Sequence, residues 1–208
     1  YCDSDMFLNY PKLAEEYVKN IEKSVSIFEG VDIEVVRETQ SGLRGNWQLA
    51  IKTCSTPYMM FLEHDWEFLT DVKVEKVIDA FEKYDKISLI RFPKRDVTEK
   101  SIRNNPDIHF DWVLEDVKGM DKLEIPLSNV TCFSGNPHIM KVSSALEKFI
   151  PALEANKPYT NTKQSYHLEK EMRPMVLETY KKYGKETSQD YWGTYQYGLI
   201  PQKQVVRH

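Results

Sequence analysis

A chain of 208 residues suits one domain, and its 41% hydrophobic and 29% charged residues allow a buried core under a soluble surface. The formal net charge is −4 with no long basic block, which argues against a nucleic-acid binder, because phosphate backbones are held by concentrated positive charge. Three cysteines, Cys2, Cys54 and Cys132, form no CxxC pair and no apolar run reaches membrane-spanning length, so structural zinc, a disulfide framework and a transmembrane segment are not indicated and a reducing, cytoplasmic setting is expected. The first residue is Tyr1 rather than Met, so the chain is expected to be cut from a longer one.

Tyr1 to Tyr10 reads as the end of a first strand and a loop around Asp3 and Asp5. Pro11 suits a first helical position. Leu13, Tyr17, Ile21, Val25 and Phe28 then recur at helical spacing, which predicts a helix ended by Gly30. Ile33–Val36 is a second strand. A polar loop, Arg37–Asn46, leads to a helix around Trp47–Thr53. Gly42-Leu43-Arg44-Gly45 has the spacing of neither GxGxxG nor a P-loop, so neither a dinucleotide site nor an NTPase is supported. Arg44 either meets an anion over the sheet edge or is a solvated loop residue.

Tyr58-Met59-Met60-Phe61-Leu62 runs apolar without alternation into Glu63-His64-Asp65. Such a run predicts a strand buried on both faces, with its acids at the C-terminal end, where open α/β sheets place their ligands. The bland alternative is a strand running into a solvated turn. Thr70 is a predicted N-cap with Asp71 in the first turn, and Val74, Val77, Ile78 and Phe81 form that helix's buried stripe. Ile87–Phe92 is the next strand. Strands and helices thus alternate over residues 1–92, which predicts an α/β fold with crossover connections.

From Pro93 to Asn129 the pattern breaks up, as an insert or a loop over a cleft would, with Asp111, Glu115 and Asp116 beside Phe110 and Trp112. Val130–His138 combines a short strand with a turn. Helices are predicted from Ser143 to Leu153 and from Leu168 to Tyr183, the second despite Pro174. The end of the chain, Gln204–His208, reads as a last strand that delivers a histidine.

The stretch from Asn46 to Asp65 resembles the centre of the GT-A glycosyltransferases, especially the large inverting family two. In that family a loop with Arg or Asn leads a short helix, and a small-residue and Tyr entry follows, then an apolar strand ending in an Asp-x-Asp-type motif, here Glu63-His64-Asp65. The match runs from about Ile33 to Phe92, and the leading Glu departs from the usual Asp. The resemblance implies a GT-A fold: a mixed, mostly parallel central sheet flanked by helices. It further implies one domain over residues 1–208, with a nucleotide-sugar-binding half (1–92) before an acceptor-binding and catalytic half (93–208).

The implied activity is metal-dependent transfer from a nucleoside-diphosphate sugar, such as a UDP-sugar, to a hydroxyl of a glycan or glycoprotein, with inversion. By position, Asp65 is the expected ligand of Mn²⁺ or Mg²⁺, with Glu63 beside it and His208 arriving from the last strand. His138 is the reserve ligand. Oxygen donors suit both ions. Asp3 and Glu38 fall where family members contact the nucleotide, and Arg44 is the candidate to meet an anion of the donor over the sheet edge. An inverting transferase needs a general base, for which Glu169 is the positional match, with Glu171 in reserve and Asp111, Glu115 and Asp116 behind them. A nucleotidyltransferase of related fold and a non-catalytic carbohydrate-binding domain are the alternatives.

Overall fold

The computed structural model of the protein describes residues 10–25, 42–63, 66–98, 123–130, 133–155, 168–199 and 201–208. The chain order of elements is α1 (Pro11–Val25), α2 (Gly42–Thr53), β1 (Tyr58–Phe61), β2 (Glu67–Phe68), α3 (Val74–Lys83), β3 (Leu89–Arg91), β4 (Leu127–Asn129) and β5 (His138–Lys141). A helical stretch follows: α4 (Val142–Ser144), a π-helical turn (Ala145–Phe149) and α5 (Ile150–Ala155). Last come α6 (Leu168–Tyr183), α7 (Lys185–Trp192), β6 (Thr194–Tyr197) and β7 (Val206–Arg207). The π-helical turn widens the backbone just before Pro151, whose ring would otherwise meet the carbonyl of the preceding turn.

The central sheet is mixed, in the order β1-β5-β3-β6-β4. β5 runs against both β1 and β3, β3 and β6 are parallel, and β4 runs against β6. The mostly parallel sheet expected from sequence therefore holds only in that β1, β3 and β6 point the same way; among the described strands β5, between β1 and β3, and β4, beside β6, are reversed, so β3–β6 is the one parallel pairing of four. The first strand and Ile33–Val36 lie outside the described residues.

Side chains alternate across this sheet with the two-residue period of a strand. Leu89 and Met140 join Phe61, Trp47, Ile51, Phe149, Leu153 and Met172 on one face, and Ile90 and Ile139 join Val77, Phe81 and Tyr195 on the other. Helices α2, α5 and α6 cover the first face and α3 the second.

Several sequence expectations are corrected. The helix expected around Trp47 begins at Gly42, so Arg44 lies in its first turn instead of a loop. Burial of Trp47 and Ile51 outweighs the modest helix penalty of Gly42 and Gly45. Thr70 is not the N-cap: α3 starts at Val74 after Lys73, with Glu75 in its first turn, and its buried residues are Val77, Ala80 and Phe81, while Val74, expected in the buried stripe, is exposed. β1 is not buried on both faces, since Met60 is 39% exposed. Strand β4 sits at Leu127–Asn129, ahead of Val130, and β5 and α7 are elements that the sequence pattern does not predict, being too short or too polar to show a clear period.

Gly193 makes the turn from α7 into β6. Its φ is +60°, and a Cβ there would lie 2.1 Å from the carbonyl oxygen of Lys86. Only glycine fits that close approach.

Candidate functional site

The antiparallel register of β1 and β5 organises one end of the sheet. Phe61, the last residue of β1, pairs with His138, the first of β5, and Arg91 at the end of β3 pairs with the same histidine. Residues that leave β1 and residues that enter β5 therefore meet at one sheet edge. Glu63 follows Phe61 by two positions, and Ser134-Gly135-Asn136-Pro137 leads into His138.

On the β1 side, Glu63 and Trp66 are tied together twice. The Trp66 backbone N–H donates to the Glu63 carbonyl at 3.3 Å, and its indole Nε1–H donates to Glu63 Oε2 at 3.1 Å. His64 and Asp65, which the chain carries between them, lie outside the described residues. β2 then pairs with β7, Glu67 opposite Arg207, and those two side chains form an ion pair. The pairing brings the chain end back, and the His208 ring meets Trp66 edge to face at 5.2 Å. The C-terminal histidine is thus beside the residue that follows the acidic motif, although 140 residues separate Glu67 from Arg207.

On the β5 side, Glu169 in the first turn of α6 reaches the entry loop. Its Oε1 accepts from the Ser134 hydroxyl at 2.7 Å and from the Gly135 backbone N–H at 2.6 Å. Two donors on one oxygen fix the carboxylate's orientation. Glu171, the reserve candidate, points elsewhere: Arg44 Nη1 donates to its Oε2 at 2.8 Å, and the pair is 15% and 7% exposed. Arg44 Nη2 also donates to the Leu153 carbonyl.

His138 is fully buried, stacked on Phe61 at 5.2 Å and edge-on to Phe133. Its Nδ1 lies 2.8 Å from the Asn136 carbonyl oxygen. A carbonyl can only accept, so the proton sits on Nδ1 and the Nε2 lone pair faces the interior. Desolvation pushes its pKa down to about 4, with the Asn136 contact opposing in part. The ring is therefore neutral at physiological pH. Beside it, Arg91 Nε donates to Gln196 Oε1 at 2.9 Å across the β3–β6 pair.

Among the described residues no three His, Cys, Asp or Glu side chains cluster as a metal site. Of the residues predicted from sequence, Glu63 and His208 converge on Trp66, Glu169 lies at the same sheet edge, and Arg44 and Glu171 join each other. Asp3, Glu38, Asp65, Asp111, Glu115 and Asp116 lie outside the described residues. Sequence reasoning gives no role to Ser134, Gly135 or Trp66. Their signals are a small polar pair before a strand and an aromatic just after the acids, neither of which names a partner.

The family model for glycosyl transferase family 2 matches residues 9–146, well over half of the chain. The chain belongs to that family. No curated protein and no solved structure matches it. Family membership makes this family 2 glycosyltransferase a GT-A fold, nucleotide-sugar-dependent transferase at the level of the family. It also places the Asn46–Asp65 stretch, the β1–β5 edge and the Ser134-Gly135 loop all within the matched span. None of the helices among the described residues is long and apolar enough to cross a membrane.

Proposed function

We propose that this family 2 member transfers a sugar from a nucleoside-diphosphate sugar to an acceptor hydroxyl with inversion, and that Glu169 is its general base. The observation that carries this reading is the register of β1 against β5, Phe61 opposite His138. It sets the exit of the acidic strand and the loop that holds Glu169 at one edge of the sheet. In the reaction, the acceptor oxygen attacks the anomeric carbon and its proton passes to the Glu169 carboxylate. The bond from that carbon to the diphosphate oxygen breaks, and the nucleoside diphosphate leaves with the electron pair. Inversion follows from attack opposite the leaving group. Ser134 and Gly135 hold Oε1, so the base meets the hydroxyl already oriented, which lowers the entropic part of the barrier.

A divalent cation belongs to this reading. Asp65, Glu63 and His208 are the residues assigned to hold Mn²⁺ or Mg²⁺, and the donor set fits: two carboxylates suit both ions and imidazole is an accepted ligand of manganese. In support, Glu63 and His208 both contact Trp66. The ion would supply charge neutralisation for the departing diphosphate. Asp3 and Glu38 are assigned to the donor nucleotide on the family resemblance. UDP-sugars are the donors to try first and glycans the acceptors.

The test is nucleoside-diphosphate release from a panel of UDP-, GDP- and dTDP-sugars, with Mn²⁺ and an oligosaccharide mixture. Wild type should turn over at least one donor and stop in excess chelator. Asp65→Asn should lose metal-dependent turnover, and Glu169→Gln should lower kcat by about 10²-fold or more with donor affinity little changed. Undiminished turnover in chelator, or a Glu169→Gln enzyme of normal rate, would refute the corresponding assignment.

A further inference from the structure

Two carboxylates two positions apart in the first turn of α6 are anchored in different directions. Side chains two apart on an α-helix point about 200° apart around its axis. Glu169 is exposed and bonded to Ser134 and Gly135. Glu171 is buried and bonded to Arg44, whose guanidinium also donates to the Leu153 carbonyl at the end of the 142–155 helical stretch. Leu168, Met172 and Val176 lie between these anchors on the buried face, in the same cluster as Trp47 and Ile51 of α2. An apolar stripe alone permits a helix to roll by some degrees. A buried, forked ion pair on one side does not, because a planar guanidinium bonded to two acceptors tolerates little misalignment.

We propose that Arg44 and Glu171 are a positioning pair that sets the rotation of α6 and thereby aims Glu169 at the acceptor hydroxyl. This rests on Glu169 being the base. Arg44 is in the first turn of α2, so the pair also ties that helix to the helix bearing the base. Neither residue touches substrate in this role. They act through Glu169.

The test compares wild type, Arg44→Lys, Glu169→Gln and the double variant in the same diphosphate-release assay. Binding is followed separately by titrating the protein with UDP, GDP or dTDP, matching the donor turned over, in the presence of Mn²⁺. Lysine keeps the charge but loses the fork, so the fold should survive; if Arg44→Lys does not fold, Glu171→Gln takes its place. Arg44→Lys should lower kcat by about tenfold, as small displacements of a catalytic group do, while the diphosphate Kd stays within about twofold. In the Glu169→Gln background the same substitution should change kcat by less than about twofold, because residues that act as a unit are not additive. A merely structural role would give equal losses in both backgrounds, and that result overturns the pair. A weakened diphosphate Kd that accounts for the whole loss overturns it too, by making Arg44 a donor contact. A Glu169→Gln enzyme of normal rate removes the base assignment and the pair's function together, whereas full additivity with a crippled Glu169→Gln enzyme removes the pair alone.

Discussion

Replacing His138 with glutamine should make the protein less sensitive to mild acid. The imidazole is fully buried against Phe61 and Phe133, and desolvation lowers its pKa from 6.5 to about 4. Above the unfolded pKa neither state binds a proton at this site, so the contribution is fully present at neutral pH. Between about pH 6.5 and pH 4 the unfolded chain is protonated and the folded one is not. Stability therefore falls as pH falls through that window, and the loss is complete below the folded value. At about 1.4 kcal/mol per pH unit the window costs about 3 kcal/mol, a large share of the roughly 5–15 kcal/mol that holds a typical domain together.

Glutamine does not titrate, and because its amide corresponds to Nε2 rather than Nδ1 it gives up both the Asn136 contact and the ring stack, a cost that is the same at every pH. Urea denaturation midpoints at several pH values from 7.5 to 4, converted to free energies with a common slope, give the comparison. Carboxylates shared by both proteins cancel in the difference. The wild-type advantage at pH 7.5 should shrink by about 3 kcal/mol at pH 4. Parallel pH curves for the two proteins would refute the argument, and would mean that the ring reaches solvent or a charged partner.

His208→Ala should weaken Mn²⁺-dependent binding of UDP or another nucleoside diphosphate and spare metal-free nucleotide binding; identical manganese titrations for both proteins would count against the assignment of His208 to the metal. Gly193→Ala should destabilise the fold by at least about 1–3 kcal/mol, since it forces a positive φ on a residue with a Cβ and sets that Cβ 2.1 Å from the Lys86 carbonyl oxygen. An unchanged melting temperature would show that the turn relaxes freely.

The apolar run from Tyr58 to Phe61, the stripe of Val77 and Phe81, and the long helix from Leu168 to Tyr183 are legible in the amino-acid sequence alone, because hydrophobic period and burial are local consequences of sequence. The family resemblance of the Asn46–Asp65 stretch is legible for the same reason, since strand and acids are contiguous. The short strands His138–Lys141 and Leu127–Asn129 are not: three or four residues carry too little pattern, and their place in the sheet depends on partners far away in the chain. The site divides along the same line. Sequence alone singles out Glu63, Glu169, Glu171, Arg44 and His208 as groups with chemistry to offer. What each one touches depends on long-range register. The antiparallel entry of β5 beside β1 brings Ser134 and Gly135 to Glu169, while the return of β7 along β2 brings His208 to Trp66. The packing of α2 against α6 hands Arg44 to Glu171. Two glutamates that read alike in sequence differ in the folded chain because a helix turns them to opposite sides, one toward a loop at the sheet edge and one into the core.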